Sequence, residues 1–343
     1  MGVFVLGMHR SGTSAVTRVV NLLGVPIGRT DSLMPVQADN PAGFWEHVGL
    51  MEVNDAILTR LGGSWDAPPA HDTTADLGEL RARAQSEFAA TYDAKRWVFK
   101  DPRVSLLLPF WRDLLGDGHV AVIVVRNPLD IAVSLARRQG FARSYSLALW
   151  EHYTRAVLRD ASGLPALVVD YDALVDDPPR GTALLREFLA AHDELVAPGD
   201  VDAIDAFLAA GLRHSRHDRA ALDRDERVTS EQRALYDAAM WLTGAHQRFD
   251  GGTLPPESPT TPVLLEARRD ARSAELLAVD ALCGQLGEAE AQLTQTTGDV
   301  AAMRGTVEAV EAALGHREIG RLERTALGAA RRARRLQQRF TRR

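Results

Sequence analysis

Residues 3–14 read Val-Phe-Val-Leu-Gly-Met-His-Arg-Ser-Gly-Thr-Ser, and this stretch decides the fold. The apolar run Val3 to Leu6 predicts a buried strand. Gly7-x4-Gly12 predicts a loop, and the apolar periodicity that follows Thr13 predicts a helix. A glycine loop between a strand and a helix turns backbone N–H groups and a helix N-terminus toward one point, which is a geometry that binds phosphate.

This loop differs from the ATP-binding loop at one position that matters for its ligand. The Walker A pattern requires Lys-Ser/Thr directly after its second glycine. Here Thr13 occupies the lysine position, and the cation, Arg10, lies inside the loop. The sequence therefore predicts a phosphate site that lacks the lysine serving the β- and γ-phosphates of a triphosphate.

The composition sets the class of protein. A chain of 343 residues with 45% hydrophobic residues can bury a full core. No stretch approaches the roughly 20 apolar residues of a membrane span, and the N-terminus lacks the pattern of a signal peptide. We therefore expect a cytoplasmic protein. The single cysteine, Cys283, excludes a disulfide within the chain and a cysteine-based metal site.

The charge is unevenly distributed. The net charge is −6, but residues 317–343 contain ten arginines and two glutamates, so this tail carries +8 and the rest of the chain −14. An acidic body does not favour a nucleic-acid partner, and we expect none. The basic tail could instead attract an anionic surface.

Alternating strand and helix patterns predict the architecture. Short apolar strands at 97–99, 120–125 and 166–169 are separated by helical patterns. They indicate an α/β domain with a P-loop-like parallel sheet flanked by helices. We predict four segments: the α/β domain at 1–250, a Pro/Gly linker at 251–262, a coiled coil at 263–316 and a basic helical tail at 317–343.

Heptads dominate the chain after the linker. Apolar residues recur every seven positions and again three residues later, although four glycines weaken the helix. The two series are Val279, Leu286, Leu293, Val300, Val307, Leu314 and Leu282, Ala289, Thr296, Met303, Val310. This pattern predicts a coiled coil that joins copies of the chain. The alternative is one amphipathic helix packed on the α/β domain. The tail fits an interfacial helix on anionic lipid at the inner membrane face, or a solvated helix end.

A second anion site is predicted at the end of the 120–125 strand. In P-loop NTPases a strand in this role often ends in an aspartate that holds Mg²⁺. This strand ends in Arg126, and Ser134 follows eight residues later, two turns along the next helix. An arginine and a hydroxyl indicate an anion site with no metal. The sequence thus predicts two separate phosphate sites.

With these motifs the chain resembles the bacterial sulfotransferase family over residues 1–245. Gly7 to Ser14 resembles the family's 5′-phosphosulfate loop, and Arg126 with Ser134 resembles its 3′-phosphate pair. Three further segments resemble its Lys-Asp-Pro, Tyr-Glu-Asp-Leu and late basic-loop regions: Lys100-Asp101-Pro102, Tyr171-Asp172-Ala173-Leu174 and Arg213-His214-Ser215-Arg216.

The resemblance implies the ligand and the residues that hold it. The co-substrate is 3′-phosphoadenosine 5′-phosphosulfate (PAPS), and no metal is required. The implied cofactor-binding residues are Gly7, His9, Arg10, Ser11, Gly12, Thr13, Ser14, Arg126, Ser134, Tyr171, Arg213 and Arg216. Lys100 and Arg10 are implied to stabilise the charge that develops during transfer. Glu46 is the expected base, with His47 as its competitor.

Several of these residues have simpler interpretations. Glu46 could merely cap the helix that begins near His47, Lys100 could be a surface lysine, and Ser134 an ordinary helix serine. Asp101 could be a magnesium ligand or could accept bonds from Arg103. His9 could touch the sulfonate or the acceptor, or simply be exposed. His214 and His217 have no third metal ligand placed for them, and Trp111 and Trp150 fit a core better than a stacking platform.

The sequence therefore predicts a PAPS-dependent sulfotransferase. It moves a sulfuryl group to a hydroxyl of a carbohydrate or glycolipid, such as a precursor of a cell-envelope polysaccharide. Two alternatives stay open: a P-loop kinase that acts on a small molecule, and a non-catalytic coiled-coil assembly protein that keeps a nucleotide-binding module.

Overall fold

In a computed structural model, the chain is described over residues 1–36, 43–70, 75–92, 95–193, 200–209 and 215–314. The chain divides into two compact units. The first is Met1–Arg272, and the second begins at Ser273.

A five-stranded sheet forms the centre of the first unit. In chain order the strands are β1 (Gly2–Leu6), β2 (Trp97–Lys100), β3 (His119–Val125), β4 (Ala166–Asp170) and β5 (Gly244–His246). Their order in the sheet is β2-β1-β3-β4-β5. The first four strands are parallel, and β5 pairs antiparallel to β4 at the edge. The carboxyl ends of the parallel strands therefore meet at one edge, where α/β sheets bind ligands.

Twelve α-helices are present in the described residues. They are α1 (Thr13–Leu22), α2 (Val48–Arg60), α3 (Gly78–Thr91), α4 (Val104–Leu115), α5 (Pro128–Gln139), α6 (Arg143–Asp160), α7 (Tyr171–Asp176), α8 (Pro178–Ala190), α9 (Val201–Ala209), α10 (Arg219–Arg224), α11 (Ser230–Trp241) and α12 (Thr260–Leu314).

The two faces of the sheet bury two different apolar clusters, because successive strand residues point to opposite sides. On β1, Phe4 and Leu6 face a cluster that includes residues of α2, α3, α4 and α6. Val3 and Val5 face a second cluster built with α1, α8 and α9. Trp111 and Trp150 are fully buried in the first cluster, which confirms their assignment to the core.

The structure confirms the α/β class and the flanked, mostly parallel sheet. It differs from the sequence prediction at the linker. Helix α12 begins at Thr260, inside the predicted 251–262 linker, and the first unit extends to Arg272. The cause is the buried carboxylate of Glu151, which accepts hydrogen bonds from the Ser258 amide (2.9 Å) and the Thr261 hydroxyl (2.6 Å). β5 was not predicted, since its three residues carry no strand pattern.

In the second unit, α12 continues as an exposed helix. The heptad residues Val279, Leu286, Leu293, Val300 and Val307 are 45–62% exposed. The helix is as predicted; its assembly into a coiled coil stays a prediction. The basic tail at 317–343 lies outside the described residues.

Candidate active site

The glycine loop lies between β1 and α1, at the carboxyl edge of the sheet. Gly12 precedes α1 with φ +96°, a conformation that side chains with a Cβ rarely adopt. A Cβ at Gly12 would also overlap the ring of Tyr171. At Gly7, φ is +150°, and a Cβ would lie 2.9 Å from the Val124 carbonyl oxygen. Both glycines are therefore needed for the loop to close against the neighbouring strand ends.

Arg10 joins the two predicted anion sites. Its backbone has φ +70°, and apart from Trp45 no other non-glycine residue in the described chain has a positive φ. The Arg10 Nε donates to Ser134 Oγ at 2.7 Å, and Arg126 donates to the Arg10 carbonyl oxygen at 3.0 Å. The sequence predicted two separate sites, but the structure brings loop, Arg126 and Ser134 into one cluster. Strained backbone of this kind is concentrated at functional sites.

Tyr171 forms the floor beside this cluster. It follows β4 directly, and its ring packs against Gly12 and under the Arg126 guanidinium, 4.8 Å from ring centroid to Cζ. Tyr171 is 2% exposed. Tyr171, which the resemblance implies as a cofactor-binding residue, is thus held next to the loop and next to Arg126.

Lys100 and Glu46 form a buried ion pair at the other end of the loop. The Lys100 Nζ donates to Glu46 Oε1 at 2.5 Å, to Ser14 Oγ at 3.1 Å and to the Phe44 carbonyl oxygen at 2.9 Å. Three bonds use all three ammonium protons. The two side chains are 2% and 8% exposed, so Lys100 is not a surface lysine.

Glu46 does not cap the helix that follows it. Helix α2 begins at Val48 with His47 at its N-cap position, and Glu46 instead contacts Lys100. Burial raises the pKa of the Glu46 carboxyl, and the attraction of Lys100 offsets only part of this effect. A raised carboxyl pKa brings a general base closer to neutral pH.

A cavity of about 110 Å³ opens on Glu46. Its polar residues come from the loop, the segment before α2, the N-cap of α4 and helix α5. Its apolar residues come from the segments before α2 and α3 and from α2 and α5. The lining residues are His9, Arg10, Met34, Phe44, Glu46, Met51, Trp65, Arg103, Leu135, Arg138 and Gln139. The cavity provides a place for an acceptor next to both the candidate base and the glycine loop.

His9 lies on the wall of this cavity and packs against Trp65, with ring centroids 4.5 Å apart. Burial lowers the pKa of His9 well below its ordinary value, and the nearby charges of Arg103, Lys100, Arg138 and Arg10 lower it further. His9 is therefore neutral at pH 7. It is half-buried, so the expectation of simple exposure is not met.

His47 and Asp101 are engaged elsewhere. The ring nitrogens of His47 lie 2.7 Å from Ser32 Oγ and 2.6 Å from the Ile27 carbonyl oxygen, and its side chain does not line the cavity. Asp101 accepts bonds from Arg103 and from the Asn54 amide at 2.9 Å. The structure thus brings Glu46, and not His47, to the cavity, and it places Asp101 in a buried polar network.

The late basic segment at 213–216 contacts the site, in its described part, through Ser215. Arg213 and His214 lie outside the described residues. Arg216 pairs with Asp176 at 2.8 Å and is exposed. His217 is held by Asp130, and the Ser215 carbonyl oxygen lies 3.5 Å from Arg126. The structure therefore places Ser215, rather than Arg216, against Arg126.

The cluster fits an anionic ligand. Among the described residues, three buried polar atoms of this cluster have no hydrogen-bond partner: His9 Nε2, Ser11 Oγ and Arg126 Nε. Buried polar atoms are normally satisfied, so unsatisfied ones in a cleft indicate a missing partner. Two of the three belong to the loop, and the third is the predicted 3′-phosphate ligand. An anionic group bound here would supply the missing partners.

One functional residue was missed by sequence reasoning. Ser105 Oγ accepts from the Gly7 amide at 2.9 Å and donates to the Gly7 carbonyl oxygen at 3.1 Å. It lies on α4 and fixes the start of the glycine loop. A serine two residues after Lys-Asp-Pro-Arg carries no local signal, because the contact spans 98 positions of sequence.

Among the described residues, no cluster of three or more histidine, cysteine, aspartate or glutamate side chains is arranged to bind a metal ion. Among the described helices, none combines the length and apolar character that a membrane crossing requires.

Comparisons with known proteins give weak similarities. No protein-family model matches this chain, and no curated protein matches it. Among solved structures, it is similar to a sulfotransferase domain from the curacin biosynthetic pathway. The identity is 16%, the coverage is 77% of this chain and 96% of that one, and the TM-score is 0.39. It is also similar to a sulfotransferase domain from the Synechococcus PCC 7002 olefin synthase. For that structure the identity is 17%, the coverage is 78% of this chain and 94% of that one, and the TM-score is 0.38. Scores this low do not establish a common fold.

Proposed function

We propose that this protein is a sulfotransferase that uses PAPS and transfers its sulfuryl group to an acceptor hydroxyl. The observation that carries the proposal is the Glu46–Lys100 pair, which is bonded to Ser14 at the end of a glycine loop that lacks the Walker lysine. A candidate base and a cation are thereby held at one phosphate-binding loop. The carbohydrate or glycolipid acceptor rests on the resemblance alone.

The residues divide the chemistry between them. Glu46 takes the proton of the acceptor hydroxyl while that oxygen bonds to sulfur. The bond from sulfur to the bridging phosphate oxygen breaks, which leaves a sulfate ester and adenosine 3′,5′-bisphosphate. Lys100 and Arg10, with the loop N–H groups, stabilise the charge on the leaving group and the sulfonate oxygens. Arg126 and Ser134 hold the 3′-phosphate.

Titration calorimetry of the full chain tests the donor site. We expect adenosine 3′,5′-bisphosphate to bind without metal ion, and Arg126→Ala to weaken that binding by about tenfold to a hundredfold, the loss for one charge-assisted contact. Arg137→Ala is the matched control, because Arg137 is an exposed arginine on α5, the helix that follows Arg126. Binding of ATP with Mg²⁺ in place of the bisphosphate would favour the kinase alternative.

Transfer from [³⁵S]PAPS to a panel of sugars and glycolipids then tests turnover. Incorporation into an acceptor that is lost in Glu46→Gln supports the proposal. Bisphosphate binding with no turnover on any acceptor, and no slow hydrolysis of PAPS, would favour the non-catalytic assembly protein. The assembly role itself depends on the exposed heptads of α12.

Three further proposals concern partners and location. We propose that the heptad face of α12 joins copies of this chain, since exposed apolar surface of that extent marks an interaction site. A cytoplasmic location and contact of the basic tail with an anionic membrane rest on the sequence alone.

A further inference from the structure

The cavity wall at Trp65 is held by a turn of the chain that has no regular secondary structure. The Ser64 amide donates to the Ala67 carbonyl oxygen at 2.9 Å, and Ser64 Oγ donates to Asp66 Oδ1 at 2.7 Å. Asp66 is buried, whereas Trp65 is half-buried and lines the cavity. Asp66 directly follows Trp65 in this turn, so whatever fixes Asp66 also constrains the backbone next to Trp65.

The first turns of α12 fix Asp66. Arg268 donates to Asp66 Oδ2 at 2.8 Å, and an Arg272 nitrogen lies 3.6 Å from Asp66 Oδ1. Arg269 adds a bond to the Pro68 carbonyl oxygen at 2.9 Å. Burial raises the pKa of Asp66, but the bonds from Arg268 and Ser64 and the two arginine charges outweigh burial and lower it overall. The pair is therefore ionised and attractive at neutral pH.

A second set of contacts runs from α12 to the same tryptophan. The Arg268 guanidinium lies 5.8 Å from the Phe141 ring, which in turn lies 6.0 Å from the ring of Trp65. Tyr153 donates to the Trp65 carbonyl oxygen at 2.8 Å and Tyr145 to that of Asp66. The tyrosines fix the backbone, while Arg268 and Arg272, together with the Ser64 hydroxyl, hold the Asp66 carboxylate.

We propose that Arg268 and Arg272 are positioning residues for the acceptor side of the site: they hold Asp66, and Asp66 holds Trp65 against His9 at the cavity wall. The acceptor role of this wall rests on the proposed function; the positioning itself does not. The glycine loop meets this turn through His9 and Trp65, whereas the donor-side residues Arg126 and Ser134 bond to Arg10. The first turns of α12 are thus part of the site rather than of a linker.

NMR of the full chain with ¹³C-labelled histidine tests the positioning without turnover. The Trp65 ring, 4.5 Å from His9, shifts the His9 resonance by its ring current. His9→Gln identifies that peak, and Trp65→Phe gives its position when the indole is lost. We expect Asp66→Asn and the double variant Arg268→Gln/Arg272→Gln to move the peak toward the Trp65→Phe position, with Arg268→Lys moving it less.

The matched control is Arg81→Gln/Arg83→Gln, which removes two arginines of α3 that pair with Asp113 and Glu52 instead of Asp66. It should leave the His9 peak in place. If the arginine variant also leaves the peak unmoved, the positioning is wrong, and this holds even where Asp66→Asn does not fold. Once an acceptor is identified, its KM should be about tenfold higher in Arg268→Gln/Arg272→Gln than in the wild type. The Kd for adenosine 3′,5′-bisphosphate should stay unchanged. If the wild type does not bind adenosine 3′,5′-bisphosphate, the proposed function is wrong and the positioning is not affected.

Discussion

Glu46 and Lys100 show how one ion pair can serve two purposes. A buried charge pair stabilises little by itself, because desolvation opposes the attraction. Here the pair also affects a candidate base, since burial raises the pKa of Glu46 and the attraction of Lys100 offsets part of that rise. Besides Glu46, the Lys100 ammonium donates to the Ser14 hydroxyl and to the Phe44 carbonyl oxygen, and these bonds hold it against the loop. The pair is therefore better explained by chemistry than by stability.

Glu46→Gln should lower kcat/KM by about 10²- to 10⁴-fold, the usual contribution of a general base. The base acts when deprotonated, so activity falls as pH drops through its pKa. Because that pKa is raised from its ordinary 4.5, the acid limb of the pH–rate profile should lie above pH 4.5. The limb should vanish in Glu46→Gln. Glu52→Gln, which removes an exposed carboxylate of α2, should keep both rate and limb. An unchanged limb in Glu46→Gln would show that another group titrates.

Gly12→Ala should abolish bisphosphate binding and destabilise the fold. A left-handed backbone costs a residue with a Cβ roughly 1–2 kcal/mol, and at Gly12 the added Cβ also meets the Tyr171 ring. Gly140→Ala is the control, because Gly140 has φ +70° but no atom within 4 Å of the added Cβ. Urea unfolding should show a larger loss for Gly12→Ala, and only this variant should lose the calorimetric binding signal. Equal losses would mean that the overlap with Tyr171 is relieved by movement of the ring.

At the scale of secondary structure, elements set by neighbouring residues could be predicted, whereas contacts between residues distant in sequence could not. The strands at 97–99, 120–125 and 166–169 and the helix after Pro128 follow from local patterns, and the structure has all of them. Contacts between residues distant in sequence carried no such signal. Ser105 bonds to Gly7, which is 98 positions away, and Arg268 bonds to Asp66, which is 202 positions away. The end of the linker could not be predicted for the same reason. Proline and glycine mark irregular backbone, but they do not reveal a buried partner such as Glu151.

Glu151→Ala should detach the start of α12. Glu151 is fully buried and pairs with Arg155 at 3.0 Å, besides accepting bonds from Ser258, Thr261 and Gln232. Removing it leaves Arg155 without its buried partner, so we expect a loss of about 3–5 kcal/mol in the free energy of unfolding. Hydrogen exchange of the amides at 258–264 should accelerate as well. Glu257→Ala, an exposed carboxylate in the same segment, should do neither. Normal exchange in Glu151→Ala would show that other contacts suffice.

At the scale of the whole molecule, the chain combines a compact α/β unit with a helix of about 80 Å, the length of 55 helical residues. The four glycines of its heptad stretch, at 284, 287, 298 and 305, all fall at positions away from the apolar series. They weaken the helix without interrupting the apolar face. Because the apolar face from Val279 to Val307 is unbroken over four heptads and exposed, we propose that its partner is a second copy of the chain.

Leu293→Asp should therefore separate the copies while sparing the site. Leu293 is 62% exposed and lies in the middle of the series that recurs every seven residues, so a charge there opposes packing in any register. Ala291→Asp puts the same charge on the same helix outside the apolar series and should keep the assembly. Sedimentation equilibrium should give a multiple of 37.4 kDa for the wild type and for Ala291→Asp, and the single-chain mass for Leu293→Asp. All three should bind adenosine 3′,5′-bisphosphate alike, because the glycine loop, Arg126 and Ser134 belong to the first unit. A wild-type protein that sediments as one chain at micromolar concentration would overturn the assembly and leave the donor site untouched.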